Sequence, residues 1–455
     1  MKTVSTIFVC LSIFVSCTNS NQHKNNAEEF FGEQKYESAL SEINSAIELM
    51  PDSSSYYDLR QNIYSILGYY EEALLDIEKI NELSNKYGID NLHIYYERSN
   101  IKAKMGLYKE ALLDMDYFID NLDTSEDFNK YLFYQCYVSK GSIYFGLDEY
   151  ENAAKCYKIV LEKNTNFMKE LDINALVGLS NLANTSDEAL ELLNRALSID
   201  TTISIPYAAR AVLYFNLEEL DLAYNDFKMA LSINPFDSQS YLNLGQFFAY
   251  YTEHDDSAVF YLEKGIELAP QSIHNDISYM NLGVVKARLG HIDEAINNLK
   301  KAEAINPDND IVLYNLSYVL SDNNYTDEAL KKINWAISIN PSDADYYNLK
   351  GVLHLTLESN EDAESAFLIA IKINPEHAVA NFNLGFLYAL EKKHEQAIYY
   401  YDKAISQNYN LEESLVNSAL QKIEINQISS ACEDLIRAFK MGRVDIKNLI
   451  DENCN

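Results

Sequence analysis

The chain has few of the residues that interrupt helices. Its 455 residues include 14 glycines and 7 prolines, which is few for the turns of a loop-rich or sheet-based architecture of this length. Hydrophobic residues make up 47% and charged residues 23% of the chain, an ordinary globular composition that can bury a long apolar core. The composition therefore predicts an all-α fold and excludes a disordered acidic chain.

Clusters of basic residues are also missing. Lys and Arg number 36 against 69 Asp and Glu, which gives a formal net charge of -33. Because nucleic acids and anionic lipid surfaces attract cationic side chains, we expect no nucleic-acid partner and no electrostatic attraction to anionic lipids. We expect the acidic surface to keep a long chain soluble, and a dedicated acidic docking patch is the alternative.

Residues 1–16 have the pattern of a signal peptide, with Lys2 followed by an apolar run too short for a permanent transmembrane helix. The run ends in Phe14-Val15-Ser16-Cys17, which resembles the lipobox of bacterial lipoproteins. The resemblance implies an acylated Cys17, a polar tether over residues 17–26, and anchoring in the bacterial cell envelope, at the periplasmic face or the outer surface of the outer membrane. An ordinary secretory signal, in which Cys17 has no special role, is the alternative.

A regular pattern of alanines runs along the chain. Within each unit an alanine is followed by a bulky apolar residue four positions on and by a second alanine three positions further, as in Ala329, Ile333 and Ala336. Twelve residues before the first alanine stands a small residue, such as Gly351 before Ala363. Small side chains at a crossing, with large ones beside them on one helix face, let two antiparallel helices pack closely. The pattern therefore predicts repeated helical hairpins.

These residues resemble the tetratricopeptide repeat, a helix-turn-helix unit of about 34 residues. Seven of the eleven spacings between successive first alanines fall within one residue of 34. The resemblance implies an all-α, right-handed superhelical solenoid of about twelve repeats over residues 27–440, followed by a C-terminal capping helix over residues 441–455. The first alanines are Ala39, Ala73, Ala111, Ala153, Ala189, Ala223, Ala258, Ala295, Ala329, Ala363, Ala397 and Ala431.

Motifs that carry chemistry are missing from the sequence. It has no phosphate-binding glycine loop, no nucleophile elbow, no calcium loop and no pair of histidines at metal-binding helical spacing. The repeats also leave no long stretch in which a catalytic domain fits. We therefore expect no enzymatic activity, no metal site and no small-molecule cofactor.

In proteins of this family, peptide-contacting residues lie on the first helix of a hairpin and line the concave side. They occur three residues before the small crossing residue, one after it, and four or five after it. The best-known peptide readers of the family use Lys and Asn at the first two of these positions to clamp a terminal carboxylate, and that combination is missing here. The predicted groove residues are Leu242, Gln246, Met280, Val284, Tyr314, Tyr318, Asn348, Val352, Phe382 and Phe386.

This aromatic and aliphatic lining predicts a protein or peptide partner that inserts an apolar segment or helix. The leading interpretation is a lipid-anchored scaffold that binds other envelope proteins. The alternative is a surface glycan-binding lipoprotein, similar to the helical starch-binding class, in which exposed aromatic rings stack on sugars. The regularity of the repeat favours the scaffold, because the glycan-binding class has irregular repeats with long loops.

Four cysteines remain after Cys10 and Cys17 are assigned to the signal and the lipid. Cys432 and Cys454 are predicted to pair if the capping helix folds back on its predecessor, and two free thiols are the alternative. A disulfide between Cys136 and Cys156 is a further possibility across one hairpin. Neither spacing has the Cys-x-x-Cys form of a redox or zinc site.

Overall fold

The computed structural model describes residues 18–89, 91–162, 168–251, 254–270, 272 and 275–454. Within these ranges the regular secondary structure is helical and contains no strand, which confirms the predicted all-α fold. Among the same residues, no helix combines the length and apolarity needed to cross a membrane. Cys17 and the predicted signal peptide lie outside the described residues.

The chain divides into two compact units, Met1–Ser278 and Tyr279–Asn455. Consecutive helices of each unit pack as hairpins. The first unit contains α1 (residues 18–32), α2 (Tyr36–Leu49), α3 (Ser54–Leu67), α4 (Tyr70–Lys86), α5 (His93–Lys104), α6 (Tyr108–Asn121), α7 (Asp127–Gly146), α8 (Tyr150–Glu162), α9 (Lys169–Ser180), α10 (Ser186–Ile199), α11 (Ile205–Asn216), α12 (Leu220–Ile233), α13 (Ser238–Tyr251) and α14 (Asp255–Leu268).

The second unit begins within α15 and ends with a short cap. Its helices are α15 (Asn275–Arg288), α16 (Ile292–Ile305), α17 (Asp310–Asp322), α18 (Thr326–Ile339), α19 (Ala344–Thr356), α20 (Asn360–Ile373), α21 (Ala378–Leu390), α22 (His394–Ser406), α23 (Leu411–Glu424), α24 (Ile428–Lys440), a 3-10 turn (Val444–Ile446) and α25 (Lys447–Asn453).

The residues that define the repeat form the core. Each of the twelve first alanines is buried, with Ala189 the most exposed at 6%. The bulky residue four positions later is buried in every repeat, at 3% exposure or less. These residues, which face the partner helix as the spacing predicts, are Ile43, Ile77, Met115, Tyr157, Leu193, Phe227, Leu262, Leu299, Ile333, Phe367, Tyr401 and Leu435.

Close approach of the two helices depends on the missing side chain at the crossing. A Cβ atom added to Gly351 would lie 2.5 Å from the ring of Phe367, and one added to Gly283 would lie 2.7 Å from Leu299 Cγ. Neither distance is compatible with van der Waals packing. The large residue of the second helix therefore fills the space that the glycine leaves.

The turn inside each hairpin also recurs at one position. Within the described residues, ten hairpins have a left-handed residue five positions before the first alanine. Five of the ten, such as Gly290 (φ 78°), are glycines or asparagines, which adopt this conformation readily because they lack a Cβ or carry a short amide. Others, such as Glu358 (φ 58°) and Lys392 (φ 57°), have longer side chains. The hairpin packing holds these longer side chains in a conformation that they rarely adopt.

The N-terminal segment differs from the prediction. Residues 18–26, expected as a polar tether, belong to α1 and pack against α2 and α3. Tyr56 Oη donates a hydrogen bond to Ser20 Oγ at 3.2 Å, and Asn26 Nδ2 donates to Glu42 at 3.2 Å. His23 Nδ1 lies 2.7 Å from the same Glu42 carboxylate. The polar composition suggested a tether, but these side chains satisfy one another inside the first hairpin.

The C-terminal segment caps the last hairpin. Ile446 is buried, and Leu449 and Ile450 pack against the cluster that α23 and α24 form. The predicted disulfide between Cys432 and Cys454 is present, with 5.6 Å between the Cα atoms. The cap is a 3-10 turn followed by a short helix, and it covers apolar surface that the terminal repeat would otherwise expose.

Cys136 and Cys156 are free and buried. Burial raises the pKa of the Cys136 thiol to about 12 and that of the Cys156 thiol to about 11. Both thiols therefore stay protonated and contribute to packing. The alternative pairing across this hairpin does not occur in the structure.

An arginine bridges three consecutive helices in the first unit. Arg60 Nε and Nη2 donate to the two carboxylate oxygens of Asp76 at 2.8 and 2.7 Å. Its Nη1 donates to Asn44 Oδ1 at 2.7 Å. Because Asn44, Arg60 and Asp76 lie on α2, α3 and α4, one guanidinium joins a hairpin to the second helix of the preceding hairpin.

The arginine–aspartate pair recurs in two further hairpins. Arg210 donates to both oxygens of Asp226 at 2.7 and 3.0 Å. Arg98 pairs in the same way with Asp114, which also accepts a hydrogen bond of 2.7 Å from Lys102. A tyrosine three residues before each arginine covers the guanidinium, at 5.4, 5.0 and 5.8 Å from the ring centroids of Tyr57, Tyr95 and Tyr207.

The pKa values of Asp76 and Asp114 shift in opposite directions. Burial raises the pKa of Asp76 and outweighs the opposing effect of Arg60. Burial acts in the same direction on Asp114, but the hydrogen bonds from Arg98 and Lys102 overcome it and lower the pKa. The second cation, Lys102, therefore adds to the stabilisation of the ionised form of Asp114.

Gly351→Ala is expected to destabilise the α19–α20 hairpin by about 1–3 kcal/mol, because the added methyl group forces the Phe367 ring out of its place. Gly32→Ala is the control, since a Cβ at Gly32 meets nothing within 4 Å. Native-state hydrogen exchange reports the stability of individual hairpins and is the measurement. Equal protection of α19 and α20 in the two variants would contradict the crossing argument.

Asp114→Asn is expected to destabilise the α5–α6 hairpin by about 3 kcal/mol at pH 7, because Arg98 and Lys102 lose a buried counter-ion. The folded-state pKa of Asp114 is lowered, so its contribution is present above the unfolded-state pKa and is lost as the pH falls through the lowered value. The difference between wild type and variant, measured by hydrogen exchange, should therefore shrink toward low pH. Glu110→Gln, an exposed change on the same helix, should have no such effect.

Candidate functional site

A cavity of about 380 Å³ opens between α15, α16 and α17. It brings together three of the predicted groove residues, Val284 on α15 and Tyr314 and Tyr318 on α17. We call it the tyrosine cavity. Its lining consists of Val284, Ala287, Arg288, Ile292, Tyr314, Asn315, Tyr318, Val319, Asp322 and Asn323.

The two tyrosines of the cavity differ in how firmly they are held. The Tyr314 ring stacks on Tyr346, with 5.2 Å between the ring centroids. Tyr346 Oη in turn donates to Asp310 at 2.9 Å. Tyr318 is 49% exposed and is therefore available to a ligand. One ring forms a fixed wall of the cavity and the other forms an accessible edge.

The hydroxyl groups of Tyr314 and Tyr318 remain hydrogen-bond donors over the physiological pH range. Burial raises the pKa of Tyr314 to about 12. The negative charge of Asp322, followed by burial, raises the pKa of Tyr318. Burial also raises the pKa of Asp322. The cavity thus offers apolar walls, the neutral phenols of the two tyrosines, a guanidinium at Arg288 and a carboxyl group at Asp322.

Two of the predicted groove residues are core residues instead. Leu242 is 8% exposed and lies over Gly265, where an added Cβ would come within 2.5 Å of its side chain. Met280 is 6% exposed and belongs to the apolar core of the second unit. The Leu242 side chain fills the space that the missing side chain of Gly265 leaves. These two residues are unavailable to a partner.

The other predicted residues lie outside the tyrosine cavity. Asn348 accepts a hydrogen bond of 2.9 Å from Asn383 Nδ2, and Val352 packs partly buried beside the core. Phe382 contacts the rings of neighbouring tyrosines, whereas Phe386 is 43% exposed. Gln246 is partly buried on α13 in the first unit. None of these five residues lines the tyrosine cavity.

Sequence reasoning missed Arg288 and Asp322. Each lies five residues after the small crossing residue of its helix, Gly283 and Ser317. This is the third contact position in similar repeats, and applying it would have identified both. It also missed the arginine–aspartate pairs, although Tyr-x-x-Arg with an Asp sixteen residues after the Arg occurs three times.

Family models described as tetratricopeptide repeats match four segments of the chain. The matched residues are 134–162 and 238–272 in the first unit, and 287–353 and 348–411 in the second. Human tetratricopeptide repeat protein 6 is 26% identical over 223 residues, which cover 47% of this chain and 40% of that protein. The chain therefore matches less than half of the length of this relative.

Similar helical repeats occur in solved structures. YrrB, described as a TPR protein with an unusual peptide-binding site, is 24% identical, covers 41% of this chain and 95% of its own, and gives a TM-score of 0.36. Yeast Tom70 is 18% identical over 90% and 96% of the two chains, with a TM-score of 0.38. Pseudomonas aeruginosa pilF is 19% identical over 47% and 96%, with a TM-score of 0.43.

The family matches indicate the same repeat unit as the structure does, in which every first alanine is buried and consecutive helices pack as hairpins. The chain contains tetratricopeptide repeats in both of its units.

Proposed function

We propose that this chain is a non-catalytic scaffold that binds an apolar segment of a partner protein in the tyrosine cavity. The observation that carries the proposal is the cavity itself, in which two tyrosines on one helix face Val284 and Ile292 across about 380 Å³. Apolar pockets with a few polar groups at their edge are the usual form of a binding site. Its place on the first helices of the hairpins matches the surface that similar repeats use for peptides.

The lining favours binding of a side-chain anchor. A partner residue such as Leu or Phe can fill the space between the Tyr314 wall and the exposed Tyr318 edge, and aromatic contacts of this kind dominate interface energies. Asp322 and Asn323 at the end of α17 are placed to bond polar groups that flank the anchor. The lining has no histidine, cysteine, serine or lysine, so binding is the activity that it supports best.

The proposed location is the bacterial cell envelope, with acyl chains on Cys17 as the anchor. Since α1 is helical from residue 18 and Ser20 is buried, the proposed acylation site precedes the first hairpin in the chain with no long segment between them. The anchor then holds the N-terminal hairpin at the membrane surface without a long linker. Two or more acyl chains are needed for stable attachment.

Cys17→Ala is expected to abolish incorporation of radiolabelled palmitate when the full-length chain is expressed in a bacterial host, because the acylated residue is removed. Cys10→Ala, a cysteine within the apolar run, is the matched control and should keep the label. Labelling of the Cys17→Ala chain, or none in the wild type, would reject the lipid anchor. The second result would support an ordinary secretory signal.

Tyr318→Ala is expected to weaken peptide binding by about 30-fold, because a central aromatic anchor contributes about 2 kcal/mol. The probe is an array of helical peptides with apolar residues at spacings of three and four, followed by titration of the peptides that bind. Tyr399→Ala is the control, since Tyr399 is similarly exposed at 57% but lies outside the cavity.

Two outcomes of the same experiment would contradict the proposal. Peptides that bind the wild type and the Tyr318→Ala variant equally would place the partner elsewhere. Oligosaccharides form a second probe set. If they bind and the peptides do not, and if Tyr318→Ala removes that binding, the cavity is a glycan site and the alternative function replaces the scaffold.

A further inference from the structure

One position of the repeat carries a cation in five hairpins. It stands thirteen residues before the first alanine, on the first helix, immediately before the crossing residue. Three of the five cations form the arginine–aspartate pairs described above, with an aspartate three residues after the first alanine. The five are Arg60, Arg98, Lys140, Arg210 and Lys350.

Lys140 shows how the repeat compensates when the aspartate is missing. Cys156 occupies the aspartate position of this hairpin. Lys140 instead pairs at 2.5 Å with Asp116, which lies on the second helix of the preceding hairpin. The carboxylate that pairs with Lys140 therefore comes from α6, because α8 has no aspartate at the usual position.

Lys350 has neither partner. Ala366, which is 3% exposed, stands at the aspartate position on α20. Asn334 on α18 stands sixteen residues before Lys350, as Asn44 does before Arg60. Among the residues that the structure describes, Lys350 has no ion pair. Asn334 therefore corresponds to Asn44, but no aspartate corresponds to Asp76.

An open cavity of about 320 Å³ marks the place of the missing carboxylate. We call it the Lys350 cavity. It lies between α18, α19 and α20, and Tyr347, three residues before the lysine, repeats the position of Tyr57 and Tyr207. The lining residues are Leu330, Asn334, Tyr347, Lys350, His354, Asp362, Ser365, Ala366 and Ile369.

Asp362 is the one carboxylate in this lining. Its side chain is 71% exposed and its Oδ2 lies 4.0 Å from His354 Nδ1. It stands one helical turn before Ala366. This exposure leaves the Asp362 carboxylate in water, so it does not replace the buried aspartate of the other hairpins.

We propose that the Lys350 cavity binds a carboxylate group supplied from outside the chain. The ligand group takes the place that Asp76 and Asp226 occupy in their own hairpins. The Lys350 ammonium and the Asn334 amide donate to it. A free small carboxylate and an Asp or Glu side chain of a partner protein share this chemistry. This site is separate from the tyrosine cavity and does not rest on the proposed function.

The test uses the full-length protein purified in detergent and two probes, succinate and a blocked tripeptide Ala-Glu-Ala, with Ala-Gln-Ala as the uncharged control. Binding is measured by calorimetry and by protection of individual lysines from acetic anhydride. We expect binding of a carboxylate probe, with protection of Lys350 but not of Lys331, an exposed lysine outside the cavity. Binding of succinate alone would identify a small-molecule site, and binding of the tripeptide would identify a side-chain site.

Three variants distinguish the charge of the site from its shape. Lys350→Met should weaken binding of the probe by about 30-fold or more, as loss of one member of a desolvated charge pair does. Ala366→Asp should abolish binding of the probe, because it supplies the internal carboxylate, and should raise the protection of α19 from hydrogen exchange. Ala366→Asn fills the same volume without the charge and should not raise that protection.

Several results would overturn the proposal. They are the absence of binding by both carboxylate probes, binding that Lys350→Met leaves unchanged, and equal binding of Ala-Gln-Ala. Equal effects of Ala366→Asp and Ala366→Asn on the protection of α19 would also overturn it, because the volume of the side chain and not its charge would then determine the effect. Inorganic phosphate that binds more tightly than succinate would exclude a carboxylate site.

Discussion

The close crossing of two antiparallel helices is the constraint on which the rest of this structure depends. It requires a small residue on the first helix and a large one on the second, as with Gly351 and Phe367. Once that pair is fixed, the first alanine and the residue four positions later must also face inward, and all twelve repeats obey this rule. The left-handed turn residues follow from the same requirement, because a short turn must return the chain at a fixed angle even where Glu358 or Lys392 occupies it.

Fixing the crossing leaves the residue beside it free to vary, and this residue gives each hairpin its own chemistry. Arginine at this position joins three helices through one guanidinium, as Arg60 does. Removal of one partner from such a pair is costly, because the remaining charge is left partly buried without its counter-ion. Three hairpins of the first unit contain an arginine–aspartate pair of this kind. In the second unit, apolar residues such as Leu316 and Leu384 take the same position and extend the core.

Periodicity made the fold predictable, because burial repeats at the same spacing as the sequence. The site was predictable only in part. Val284, Tyr314 and Tyr318 line one cavity, and their role in binding stays a prediction. The assignment of Leu242 to the groove was wrong because this leucine packs over Gly265, a residue on another helix, and is buried there. The prediction of a polar tether over residues 17–26 was wrong for a similar reason. His23 and Asn26 are polar, and only their bonds to Glu42 show that they belong to a packed helix.

The two candidate sites of the second unit illustrate different departures from the repeat. The tyrosine cavity forms because Tyr318 remains accessible beside an otherwise packed surface, so a ligand there adds apolar contacts to a complete hairpin. The Lys350 cavity forms because one member of a recurring pair is absent, so a ligand there completes the hairpin. A chain with 69 acidic and 36 basic residues has ample carboxylates for its cations. A cation left without one, at the position where its counterparts are paired, is therefore a local property of that hairpin and not a consequence of composition.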